Sequence, residues 1–286
     1  MRTGIIRGEP IDRYHSTDAA SHSKLEILRD RDRGTLKYFG RFIAKHAEET
    51  PHADHFDVGS GIDALLLEGD EAFKSRVWTA PEGFRWQTAE GKALVEAKRR
   101  AGKIVLSAEE AETVFALRAA CHRNSTLMAL LSVGEPQVTL RHGFERFAVQ
   151  VRPDWLNQGI VTLPDGSTVG PYMVDLKSAE DLTRFYKFLP GYYRQCALYC
   201  EVYRLVMAKE KGVSVEEVSA PEWFWAVCFK SQPMCAVVYG TDPERLAAAT
   251  EEVVDDLRLL KSCYDTGNWS AFTQGVQQLQ PLRRVG

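Results

Sequence analysis

Val174-Asp175-Leu176-Lys177-Ser178 is a short apolar run interrupted by an acid and a lysine two positions apart. Successive side chains of a β-strand point to opposite faces, so Val174 and Leu176 are expected in the core while Asp175 and Lys177 share the other side. That pattern sets a carboxylate able to hold a metal beside an ammonium group. Arg152-Pro153-Asp154 offers a second carboxylate twenty-one residues upstream of Asp175. An isolated Asp-x-Lys is better explained as a structural ion pair, so its meaning depends on the elements around it.

Those elements predict a sheet. Residues 137–142 alternate apolar and polar, and 147–151 follow after a turn at Gly143, which together predict a hairpin. Pro153 ends the second strand because proline has no N–H for a ladder hydrogen bond. Leu163-Pro164-Asp165-Gly166-Ser167 is a turn signal, after which the chain returns as a strand over 172–177. Asp154 and Asp175 then lie near the ends of neighbouring strands, close enough to share an ion. Residues 181–189, with Arg184 and Lys187, are predicted to be a short polar connection. A helix over 192–208 follows, with Tyr192, Gln195 and Tyr199 on one side. Two more strands over 222–229 and 236–239 and a helix over 242–262 complete the pattern.

The N-terminal half is helical in character. Residues 1–20 lack sustained periodicity and are predicted to be an arm. Ser21 or Ser23 caps a helix carrying Leu25 and Leu28. Arg29, Arg31, Arg33, Lys37, Arg41 and Lys45 interleave with Tyr38, Phe39 and Phe42, either as a solvated helix face or as a local patch for nucleic acid. Over 56–68, Gly59, Ser60 and Gly61 permit close packing. Asp63 stands there among Ile62, Leu65 and Leu66, and either faces solvent or needs a partner. A helix ends near Arg100, and Ser107 with Glu110 forms a capping box for the next, with Val114, Leu117 and Ala120 on one face. The expected architecture is a single mixed α/β domain over 1–286: a mainly helical part to 131, a strand-rich core with its closing helix over 132–270, and a tail over 271–286.

With 286 residues, 44% hydrophobic and 26% charged, the composition is that of a globular chain with a sizeable core. No apolar run reaches the roughly 18 residues a membrane span requires, and the N-terminus has no signal-peptide pattern, so an intracellular, cytoplasmic protein without membrane contact is expected. The net charge of −3 gives no overall basic field, so contact with nucleic acid would have to use local patches. Six cysteines without a C-x-x-C pair are expected to be reduced core thiols, Cys196 and Cys200 sharing a helix face.

Two aspartates and a lysine at strand ends suit metal-assisted phosphodiester hydrolysis, with Mg²⁺ on the carboxylates and the lysine beside the attacking water. Arg152-Pro153-Asp154-Trp155-Leu156, Val174-Asp175-Leu176-Lys177 and the stretch from Tyr192 to Tyr199 resemble, in that order, the PD-(D/E)xK nuclease superfamily. More narrowly they resemble the RecE-type, lambda-exonuclease-like enzymes of phages and prophages. Tyr14-His15 before the Ser-x-Ser-Lys-Leu segment, the helix ending in Ala64-Leu65-Leu66-Leu67-Glu68, and the run from Tyr264 to Trp269 extend the likeness over nearly the whole chain.

The resemblance implies a restriction-endonuclease-like core, a mixed central sheet flanked by helices. It makes Asp154 and Asp175 metal ligands, with the Leu176 carbonyl as a third, and Lys177 the catalytic lysine. Gln195 and Tyr199 support the site or contact DNA, although a helix face packed on the sheet explains Tyr199 equally well. Arg184 and Lys187 are candidate DNA contacts. Such enzymes commonly carry a histidine on the early helix, where this chain has Asp63, a candidate ligand in its place. An acid expected near the start of the first strand could be Glu135. The cysteine spacing does not match that of related iron–sulfur nucleases, so no cluster is expected. The implied activity is Mg²⁺-dependent exonuclease action on double-stranded DNA ends, with Mn²⁺ as a substitute, running 5′ to 3′ and leaving 3′ overhangs for a single-strand annealing protein. A homo-oligomer and a phage or prophage context in a bacterial host belong to the same expectation. An endonuclease or junction resolvase on the same core, or an inactive DNA-binding recombination scaffold, are the alternatives.

Overall fold

The computed structural model describes residues 1–30, 34–46 and 55–270. The expected tail over 271–286, and Arg31 and Arg33 of the cationic run, lie outside the described residues. At the centre is a five-stranded mixed sheet. Its middle strand, Tyr172–Ala179, pairs in parallel with Glu222–Phe229 and antiparallel with Trp155–Asn157. Cys235–Gly240 and Glu135–Pro136 form the two edges. The parallel pair needs a crossover, which is the long helix Leu182–Lys211.

Helices bury both faces of the middle strand, the crossover covering one of them. Val174 and Leu176 enter a core with Ile62 of helix His55–Leu67 and Val114 and Leu117 of helix Ala108–His122. Met173, Trp223, Trp225 and Val227 face the other way, onto Cys196, Val202 and Val206 of the long helix. Asp175 therefore does not emerge into solvent as strand alternation alone suggests; it is 2% exposed, beneath the long helix. A central strand covered on both sides has no solvent face to offer.

The predicted hairpin forms between Thr139–Gly143 and Ala148–Val151, but in a second, three-stranded sheet. Its third strand, Gly4–Ile6, corrects the expectation of an arm over 1–20. Ile11–Ser16 is helical, and Ala20 bridges to Val149. A buried polar cluster anchors this segment. Arg141 Nη2 donates to both Glu9 carboxylate oxygens, at 3.0 and 2.9 Å, and Arg141 Nε donates to Gln150 Oε1 at 2.8 Å. Gln150 Nε2 donates in turn to the Tyr14 carbonyl at 2.9 Å.

The second correction concerns 181–189, which is not a connection. Asp181 caps the long helix by accepting from the Arg184 N–H at 2.7 Å, and the helix runs through Pro190. Phe185 and Leu189 are buried and hold these first turns on the core, which offsets the backbone hydrogen bond that proline cannot donate. The helix expected to carry Leu25 and Leu28 is a single turn, His22–Leu25, continued by a 3₁₀ turn over Glu26–Arg29, and Ser21 precedes it without a side-chain capping bond. Thr88 caps Ala89–Arg100, Ser107 and Glu110 form the expected capping box, and Asp242 caps Pro243–Thr266. No helix among the described residues is long and apolar enough to cross a membrane.

Candidate functional site

The two aspartates meet because Pro153 interrupts a strand. Trp155 is the last residue of its strand to pair with the middle strand, opposite Val174. One step further the ladder has no partner for the Leu176 N–H, and the Asp154 carboxylate replaces it, its Oδ2 accepting at 2.8 Å. Asp154 Oδ1 accepts from Gln137 Nε2 at 3.1 Å, and Gln137 Oε1 accepts from Arg152 Nε at 3.0 Å. Arg152 itself is held by the Glu9 carbonyl at 2.8 Å.

On the long helix, Gln195 joins the acid and the lysine of the middle strand. Its Nε2 donates to Asp175 Oδ1 at 2.9 Å, while its Oε1 accepts from Lys177 Nζ at 3.1 Å. Lys177 also forms an ion pair with the buried Asp175 Oδ2. The Tyr192 ring lies against the ammonium, 5.0 Å from its centroid. Of these groups, Lys177 and Tyr192 line a cleft of about 1000 Å³ whose walls also include Asp63, Leu176 and Arg184.

Close packing of acids sets the protonation states. Burial, reinforced by the charge of Asp175, pushes the Asp154 carboxyl up to about 6. Asp63 is driven well above the usual carboxylate range, first by burial and then by Asp154. Burial works against the charge of Lys177, but Asp175 and Asp154 outweigh it and raise the ammonium above its ordinary value. Lys177 is therefore a cation at neutral pH, suited to holding and neutralising an anion.

Asp63 thus faces the cleft, and the alternative of a simple solvent-facing acid does not hold. A carboxyl whose folded-state pKa exceeds its unfolded value favours the protonated fold, so its ionisation costs stability as pH rises from the unfolded value to the folded one. Asp63→Asn removes that cost. The metal-free variant is expected to melt higher than the parent at pH 8, by about 2–4 °C for each kcal/mol relieved, and to match it near pH 4. An equal or lower melting temperature at pH 8 contradicts this electrostatic account.

Among the described residues, no group of three His, Cys, Asp or Glu side chains is assembled to hold a metal by itself. Asp154 and Asp175 nevertheless bring carboxylate oxygens together here, with Asp175 Oδ2 held by the Lys177 ammonium. Such donors fit a hard divalent ion that keeps several waters.

The remaining candidates are distributed differently. Glu135 is bound by Arg7, whose Nε and Nη2 donate to its carboxylate at 2.6 and 2.9 Å. The side chain that touches Asp154 is instead that of Gln137, just past the edge strand and held at a left-handed φ of 54°. Sequence reading missed it, although an amide preceding alternating strand residues was a weak signal. Tyr199, read as a support or a DNA contact, is buried on the sheet side of the long helix. Its ring meets Trp223 edge-on at 5.5 Å, and burial raises its phenol well above the ordinary range. Arg184 and Lys187 are exposed on the first turns of the long helix.

No protein-family model matches the chain, and no curated protein matches it in sequence. The fold does have a counterpart. It is similar to the crystal structure of a protein from Eubacterium rectale described as a candidate exonuclease, with a TM-score of 0.58 and 16% identity over 92% of this chain and 88% of that one. At this identity the likeness is one of fold: helices around a mixed sheet, shared over nearly the full length of both chains.

Proposed function

We propose that this chain is a metal-dependent DNA exonuclease built on a PD-(D/E)xK core. The observation that carries the reading is the convergence of Asp154, Asp175, Lys177 and Gln195 about the central strand, with Lys177 on the wall of the adjoining cleft. The motif resemblance supplies the exonuclease class, 5′-to-3′ polarity, production of 3′ overhangs for an annealing protein and assembly as a homo-oligomer.

Asp154, Asp175 and the Leu176 carbonyl would hold Mg²⁺, or Mn²⁺ in its place, with Asp63 close by. Such an ion, when bound, polarises the scissile phosphate and lowers the pKa of its water. The chain's own contribution is orientation and charge. The Leu176 N–H and Gln137 fix both oxygens of Asp154. Gln195 bridges Asp175 and Lys177, so acid and ammonium keep one relative position. The Lys177 ammonium faces the cleft, where it can hold the attacking water or a phosphate oxygen and offset negative charge that develops in the transition state. Arg184 and Lys187 meet phosphates at the mouth.

Duplex DNA labelled at one end or the other, incubated with Mg²⁺, tests the reading directly. Progressive loss from 5′ ends, with covalently closed circles left intact, is the expected result. Cleavage of closed circles would move the assignment to an endonuclease or resolvase. No cleavage of any DNA with Mg²⁺ or Mn²⁺ would overturn it.

A further inference from the structure

The long helix carries a stripe in which Phe188 has no part in the assignments above. Arg184, Phe188 and Tyr192 are four apart and Gln195 three further on, so all lie along one side of the helix. The first three line the cleft that contains Lys177. The Arg184 guanidinium lies 5.3 Å from the centroid of the Phe188 ring, Phe188 and Tyr192 are 6.4 Å apart, and Tyr192 is 5.0 Å from the ammonium of Lys177. A second cation, Lys187, lies 5.9 Å from the Phe188 ring. Phe188 is 45% exposed even though it lines a cleft, whereas Phe185 on the core side of the same turn is 3% exposed. Phe188 thus keeps exposed aromatic surface on the cleft wall, flanked by two cations.

A nucleic acid strand presents the complementary pattern, anionic phosphates alternating with flat apolar bases. Aromatic rings stack on any base regardless of sequence, and arginine meets the phosphate alongside. The spacing favours a strand whose bases are unstacked. The 6.4 Å between Phe188 and Tyr192 is nearly twice the roughly 3.4 Å per nucleotide of a stacked strand, so bases following the stripe are drawn away from one another.

Building on the nuclease reading, we propose that Arg184, Phe188 and Tyr192 form a guide for a single strand. Phe188 stacks an unpaired base, Arg184 holds the adjoining phosphate, and Tyr192 leads the strand to Lys177. The substrate end then enters the cleft separated from its complement. Phe188 is a positioning residue in this scheme and takes no part in the bond-breaking step.

Binding can be measured without cleavage in a Lys177→Ala background, using fluorescence anisotropy with a labelled oligothymidylate and an abasic oligonucleotide of equal length. Phe188→Ala is expected to weaken binding of the oligothymidylate about tenfold and to leave the abasic strand unchanged, while Phe188→Trp keeps both. Arg184→Ala should weaken both strands. Equal loss on the two strands with Phe188→Ala, no loss on either, or no binding of either by the background protein would overturn the guide. So would a change in oligomeric state by light scattering without a change in oligonucleotide binding, which would make Phe188 a protein contact. Cleavage of end-labelled duplex by the native chain is scored separately. Cleavage without base discrimination removes the guide alone, and base discrimination without cleavage keeps the guide while removing the nuclease assignment.

Discussion

Lys177→Ala is expected to lower cleavage of linear duplex DNA by about 10³-fold, the scale of losing one preorganised charge or proton-handling group at a reacting centre. The substitution removes the cation that faces the cleft, and Gln195 and Asp175 each lose a partner. The folded protein should remain measurable, because the strand that carries the lysine is paired along its whole length with Glu222–Phe229. Its stability should nevertheless depend on metal more strongly than that of the parent. Among the described residues the ammonium is the positive charge paired with Asp175, a carboxylate that is 2% exposed, and breaking a buried pair on one side typically costs about 3–5 kcal/mol. Divalent ions can offset that loss at the same oxygens. Melting curves with and without Mg²⁺ should show a larger metal-induced rise in the variant than in the parent, alongside the lost activity. Retained metal-dependent cleavage in the variant would remove Lys177 from the mechanism. An equal metal response in both proteins would place the ion away from Asp175.

Much of the site was legible because its signals are local. Alternation placed Val174 and Leu176 in the core, and proline in Arg152-Pro153-Asp154 marked the strand end that frees Asp154 to reach the Leu176 N–H. Helical spacing put Gln195 on the side of its helix that meets Asp175 and Lys177. What escaped depends on pairing between distant segments. Gly4–Ile6 lacks periodicity of its own and becomes a strand only against Thr139–Gly143. The polar surface of 181–189 and Pro190 both argue locally against a helix, and burial of Phe185 and Leu189 overrides them. Gln137 replaces Glu135 at Asp154 for a similar reason. Arg7, brought over by the N-terminal strand, takes the glutamate, and a left-handed residue turns the glutamine inward. Tyr199 has a spacing that fits either an exposed or a buried face, and only the neighbouring Trp223 decides it.

Arg141→Met is expected to be the most destabilising single change outside the site, by about 3–5 kcal/mol, because it leaves a buried carboxylate without its counter-ion. The side chains of Arg141 and Glu9 are 2% and 3% exposed. Every neighbour of that guanidinium belongs to the junction between the N-terminal segment and the hairpin: Glu9, the Arg2 carbonyl and Gln150. The loss should therefore begin as detachment of 1–20 and appear as faster proteolysis there before global unfolding. It should also reach the site, since Arg152 is held by the Glu9 carbonyl and itself holds Gln137 against Asp154. Removing both charges tests the physical cause. The double variant Glu9→Leu/Arg141→Met leaves no orphaned ion and is expected to recover most of the stability lost by Arg141→Met alone, as apolar replacements of buried pairs often do. Denaturant melts of the two single variants and the double variant complete the cycle. If the double variant loses as much as the sum of the singles, the pair acts through shape and packing, and the desolvated charge is not what fastens the N-terminal strand to the sheet.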